Sequence, residues 1–192
     1  NHANTLGFAL AYIGCMSAYR RGDFEALAPY CDQLSEHGQR YSRPMWQSMA
    51  RIFRGRLMVE RGDPQGGMRE IEQGIEAYQR IQMRINVPHY LGMLSEACLA
   101  CDRVDDALHA LDRAIALSRQ SGDRAHLPEL WRLRARASLA AGTPDALAAC
   151  AHDLGMAIEY ARDQGSVSYE RRAALDLALL PASSRGAATV AT

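Results

Sequence analysis

The chain has 192 residues, 48% hydrophobic and 23% charged, the make-up of an ordinary soluble globular protein long enough to bury a continuous core. Its 22 basic residues balance 22 acidic ones, so no net field draws nucleic acid or an anionic membrane surface. No run approaches the ~20 consecutive apolar residues of a membrane span, and no basic segment followed by an apolar one opens the chain as an export signal would.

Apolar residues keep a helical spacing along almost the whole length. The spacing predicts helices over 4–20, 24–38, 45–61, 65–82, 88–101, 104–121, 126–141 and 145–164, and a last one at 168–180. No segment alternates with period two over a strand's length, so the fold class is all-α. Residues 181–192, rich in Ala and Ser, carry no helical stripe and are expected to form a flexible tail after a single domain of residues 1–180.

The helices fall into pairs because the turns repeat about every forty residues: Arg21-Gly22-Asp23, Arg61-Gly62-Asp63, Asp102-Arg103-Val104-Asp105 and Gly142-Thr143-Pro144-Asp145. Glycine tolerates the left-handed conformation that ends one helix, and aspartate accepts from the free amides that start the next. The two Arg-Gly-Asp triplets are thereby explained as repeat turns rather than adhesion motifs. Small residues recur before each turn, at Gly14, Gly55, Ser95 and Ala135, where they let helix backbones approach.

The third pair carries the best-formed pattern, with Leu94 and Ser95, then Cys98, then Ala107, Leu111 and Ala114. This resembles the tetratricopeptide repeat. The resemblance implies a right-handed superhelical solenoid of about four helix pairs closed by a capping helix. The units exceed the usual thirty-four residues, and repeat two has Gly67, Ile71 and Gly74 where the family has Ala, an aromatic and Ala. The longer unit is similar to the C-terminal repeat region of large bacterial signalling proteins that join an ATPase module to an adenylyl cyclase or a winged-helix transcriptional regulator. The segments Ile52-Phe53-Arg54-Gly55-Arg56, Gln73 to Tyr78, Glu129 to Ala135 and Ala157 to Gly165 carry that likeness. The chain itself lacks the phosphate-binding loop of such an ATPase, having no lysine to complete one. Because it opens on Asn1 and becomes helical at once, it is expected to be a piece of a longer protein.

In a tetratricopeptide array the first helix of each pair lines a concave groove. That mapping puts Phe8, Cys15 and Tyr19, then Met49, Ile52, Arg56 and Glu60, then His89 and Glu96, then Glu129, Arg132 and Arg136 on the groove. The candidate partner-binding set is Tyr19, Met49, Ile52, Arg56, His89, Glu96, Arg132 and Arg136. Met49 and Ile52 would supply apolar contact. Arg56, Arg132 and Arg136 around Glu96 would select an anion, since guanidinium forks bind carboxylate or phosphate through two bonds. The alternative is that these charges pair with one another between neighbouring helices, which is the commoner use of such residues. Asparagines of the kind that clamp a peptide's terminal carboxylate are missing, Asn occurring only at Asn1, Asn4 and Asn86.

No metal or cofactor site is expected. Cys98 and Cys101 have zinc spacing but no second pair, and the six histidines are scattered. The odd count of five cysteines (Cys15, Cys31, Cys98, Cys101, Cys150) suits reduced core thiols in a cytoplasm. Trp46 and Trp131 are either groove anchors or plugs between repeats. No nucleophile elbow or close carboxylate pair stands in an apolar run, so no enzyme is expected. The expected function is a non-catalytic interaction module. Its groove would take a protein or peptide segment, or the parent protein's own ATPase domain. A metabolite sensor is the alternative, and apolar faces at the two ends allow a homodimer.

Overall fold

In the computed structural model, residues 2–182 are described, and these form helices with no strand. The helices are α1 (residues 2–21), α2 (Phe24–Arg40), α3 (Pro44–Glu60), α4 (Pro64–Arg80), α5 (Val87–Ala100), α6 (Val104–Ser121), α7 (Leu127–Ala140), α8 (Ala146–Asp163) and α9 (Val167–Ala178). Their bounds follow the sequence periodicity closely. The expected tail beyond residue 182 lies outside the described residues.

The repeat turns work as their residues dictate. Gly22 and Gly62 adopt φ of 69° and 91°, and Asp23 and Asp63 accept from the amides of Ala26 and Gly66 at 3.0 and 2.9 Å. In the third turn Asp102 takes the left-handed position itself, at φ 57°. Proline opens α3 and α4 and enters the first turn of α5 and α7, where an amide would be unpaired in any case. A 3.6-residue periodicity does not announce one detail: α1 widens into a π-helical stretch over Ala9–Met16, which buries Leu10, Ala11, Gly14 and Cys15.

The chain divides into two compact units, one ending at Cys101 and the other beginning at Asp102. The division falls between α5 and α6, inside the third pair of the expected repeat. In the first unit each helix packs on its chain neighbours, and α3 also meets α1 and α5. α3 crosses α4 closely, so that a Cβ added at Gly55 would lie 2.6 Å from the carbonyl oxygen of Gly67. Gly74 opens the same interface for Ile52. The core there holds Trp46, Met49, Ile52, Phe53, Ile71, Tyr78 and Tyr90, all but excluded from water. In the second unit α7 packs on α6 and α8, and α9 lies against α8 and α7 over a core of Leu111, Leu127, Leu130, Leu154 and small alanines.

Candidate functional site

Within the first unit, the first helices of successive pairs meet along one strip. Tyr19 from α1 donates its hydroxyl to Glu96 of α5 at 2.5 Å, and Arg56 of α3 reaches the same carboxylate oxygen through Nε at 3.4 Å. The Tyr19 ring stands edge-on to His89, with centroids 5.4 Å apart, and the Arg56 guanidinium lies 5.0 Å over the ring of Phe24. Four of the predicted residues, Tyr19, Arg56, His89 and Glu96, are therefore brought together. His89 is buried, while Tyr19 and Glu96 are half-buried.

The Arg56 guanidinium is nearly buried, at 11% side-chain exposure, and its Nη1 makes no hydrogen bond among the described residues. The nearest acid to that nitrogen is Glu60, 3.6 Å away and 48% exposed. Phe24 thus covers one face of the guanidinium, and the half-exposed Glu60 carboxylate stands at its Nη1 edge. A guanidinium so desolvated binds an incoming carboxylate more strongly than a surface arginine does.

Two groove assignments are overturned. Met49 and Ile52 are completely buried, packed in the core of the first unit, so neither offers a surface to a partner. Ile52 fills the space that Gly74 leaves open on α4, which is why it turns inward. Cys15 is likewise buried, and its hydrogen bond with Cys31 across α1 and α2, together with burial, raises the Cys31 thiol.

The remaining predicted residues lie in the second unit. Arg132 has its donors occupied: Nε and Nη2 bond both oxygens of Glu129 at 3.0 and 2.8 Å, and Nη1 bonds Asp176 of α9 at 2.8 Å. Burial opposes its charge, but Glu129 and Asp176 outweigh that and push its pKa above the ordinary value. Arg132 is thus the internal tie that holds α9 to α7, the intramolecular alternative, and not a vacant anion receptor. Arg136, one turn on, is exposed. Trp46 and Trp131 are both buried, Trp46 against Gly7 and edge-on to Phe8 at 4.9 Å, and Trp131 with the guanidinium groups of Arg119 and Arg134 5.5 and 5.6 Å from its ring.

A charged centre that the sequence reading passed over is Asp153, fully excluded from water on α8. Arg134 Nη1 donates to both its oxygens at 2.8 Å, and Ser138 donates at 3.1 Å. Burial raises its pKa, partly offset by Arg134 and Ser138. The signal was present, since Asp153 sits on the buried stripe of Cys150, Leu154, Ala157 and Ala161. Nothing in the sequence announced Asp176 as the partner of Arg132, forty-four positions away. Among the described residues, no three or more His, Cys, Asp or Glu side chains are grouped so as to hold a metal ion, and no helix is long and apolar enough to cross a membrane.

No protein-family model matches the chain. Among curated proteins it is similar to an uncharacterized protein of Rhizobium meliloti (strain 1021), 27% identical over 159 residues. The aligned stretch is 82% of this chain but 15% of that protein, so the chain spans a small part of the relative's length.

Proposed function

We propose that the chain is a non-catalytic helical-repeat module that receives a polypeptide segment along the strip formed by Tyr19, Arg56 and Glu96. The observation that carries this reading is the Arg56 Nη1 donor, buried and without a hydrogen bond among the described residues, with the half-exposed Glu60 3.6 Å away. A partner carboxylate that displaces Glu60 gains a charge-assisted bond that the free chain does not make. The contact of α3 with both α1 and α5 supports this reading, since a tetratricopeptide groove would bring first helices of successive pairs together. The similarity to one stretch of a much longer bacterial polypeptide supports a place within a longer protein. We read that protein as a cytoplasmic regulator, with the segment supplied in cis or by a partner.

Photo-crosslinking tests the reading. A benzophenone amino acid at Glu60 should crosslink to polypeptide in cells, and Arg56→Gln should reduce that yield with helicity unchanged. Equal yields from Glu60 and from Glu76, an exposed position on α4, would sink the proposal.

A further inference from the structure

The strip described above leaves a different part of the first unit unused. The turns at 21–23 and 61–63 lie at one end of the antiparallel helices, and each carries an aspartate beside its arginine. The turns at 40–46 and 80–88 lie at the other end. They read Arg-Tyr-Ser-Arg-Pro-Met-Trp and Arg-Ile-Gln-Met-Arg-Ile-Asn-Val-Pro, with four arginines and no acid. Among the described residues only Arg80 of the four has an ion pair, with Glu76 at 2.7 Å. Arg43 and Arg84 are exposed, and neither side chain has an ion pair or hydrogen bond among the described residues. In a chain of zero net charge, this end is locally cationic.

The same end is also apolar. An open depression of about 320 Å³ is lined by Asn4 and Phe8 of α1, Met45 and Trp46 of α3, and Ile81, with Arg43 at its edge. Phe8 is 52% exposed, and Ile85 in the next turn 62%. The volume is at the lower limit of the ~300–1,000 Å³ of small-molecule sites. An open dish of that size suits one bulky side chain on a longer segment.

The lip is also fixed before anything binds. The amides of Tyr41, Ser42 and Arg43 bond the carbonyls of His37, Gln39 and Gly38 at 3.2, 3.1 and 2.8 Å, so little conformational entropy remains to be lost there.

We infer that this end of the first unit is a second docking site, for an acidic polypeptide segment. A Phe-, Trp- or Leu-sized side chain of that segment enters the depression beside Phe8 and Trp46. Flanking Asp or Glu carboxylates meet Arg43 and Arg84. The apolar side chain provides the anchor and the arginines provide selection, since a neutral or basic segment would leave both guanidinium groups facing nothing. This inference is independent of the Tyr19–Arg56–Glu96 strip, which faces other residues.

The test is a random heptapeptide library displayed on phage and panned against the intact chain, followed by synthesis of the consensus peptide. Binding is read from Trp46 fluorescence in a Trp131→Phe background. The expected consensus is one bulky apolar residue flanked by Asp or Glu. Arg43→Glu should weaken its binding by about tenfold or more, as loss of a charge-assisted bond does. Phe8→Ala should weaken it too, Arg56→Gln should leave it unchanged, and added salt should weaken it. Circular dichroism of Arg43→Glu should match the parent, because that side chain is exposed.

Absence of any selected sequence, a consensus without acids, or a consensus indifferent to both Arg43→Glu and Phe8→Ala would overturn the inference. Sedimentation showing self-association that Arg43→Glu abolishes would also overturn it, by assigning the face to a second copy of the chain.

Discussion

Arg134 and Asp153 should be strongly unequal partners. Asp153 has no exposure at all, whereas the Arg134 side chain is 27% exposed and keeps a second acid, Asp112, at 2.7 Å. Arg134→Met leaves a buried carboxylate with only Ser138, a loss of about 3–5 kcal/mol for a broken buried pair. Asp153→Asn leaves Arg134 with Asp112 and water, and should cost only about 1–3 kcal/mol, the scale of a lost charged hydrogen bond. Protonation of Asp153 sets a ceiling on the first figure.

Burial already raises the Asp153 pKa, and removing Arg134 raises it further. Above the unfolded aspartate pKa the native variant then holds a proton that the unfolded chain has lost, so stability falls as pH rises through that window. The Arg134→Met penalty should therefore shrink as the pH is lowered from 7 to 5, because the variant's carboxyl takes up a proton more readily than the parent's. Urea unfolding of the second unit, followed by Trp131 in a Trp46→Phe background, measures this at both pH values. The double variant should recover much of the loss, because it leaves no unpaired charge. A penalty for Asp153→Asn as large as that for Arg134→Met, or one for Arg134→Met that does not change with pH, would refute the reasoning.

Other outcomes follow from the packing. Gly67→Ala places a methyl group against the Gly55 carbonyl and 2.6 Å from Val59, so it should destabilise the first unit by about 1–3 kcal/mol, seen by Trp46 fluorescence, despite alanine's better helix propensity. Cys15, Cys31, Cys98 and Cys150 are buried, and burial pushes Cys150 up to about 11. A thiol reagent at pH 8 should thus modify the part-exposed Cys101 quickly and the others only on unfolding, which a Cys101→Ser control by mass spectrometry checks. Of the residues of α9 only Ala173 is buried, so Asp176→Asn, which removes the tie to Arg132, should speed proteolysis within 167–178 while sparing earlier helices.

The amino-acid pattern alone determined the helical class, the position of nearly every helix and the role of the turns. Those depend on neighbours in the chain: apolar residues three and four apart, Gly22 and Gly62 at left-handed positions, Asp23 and Asp63 on the first free amides. The strip was half legible, because repeat spacing aligned Tyr19, Arg56, His89 and Glu96, which lie on first helices of successive pairs. Spacing could not say which way Met49 and Ile52 turn, since that depends on Gly74 and its neighbours making room on α4. Nor could it show that Arg132 is committed to Asp176, or that Arg43 and Ile81 share one rim. Pairings between distant residues are set by which side chains the packed helices bring within reach and which they shut away from water, and that geometry exists only once the helices have packed.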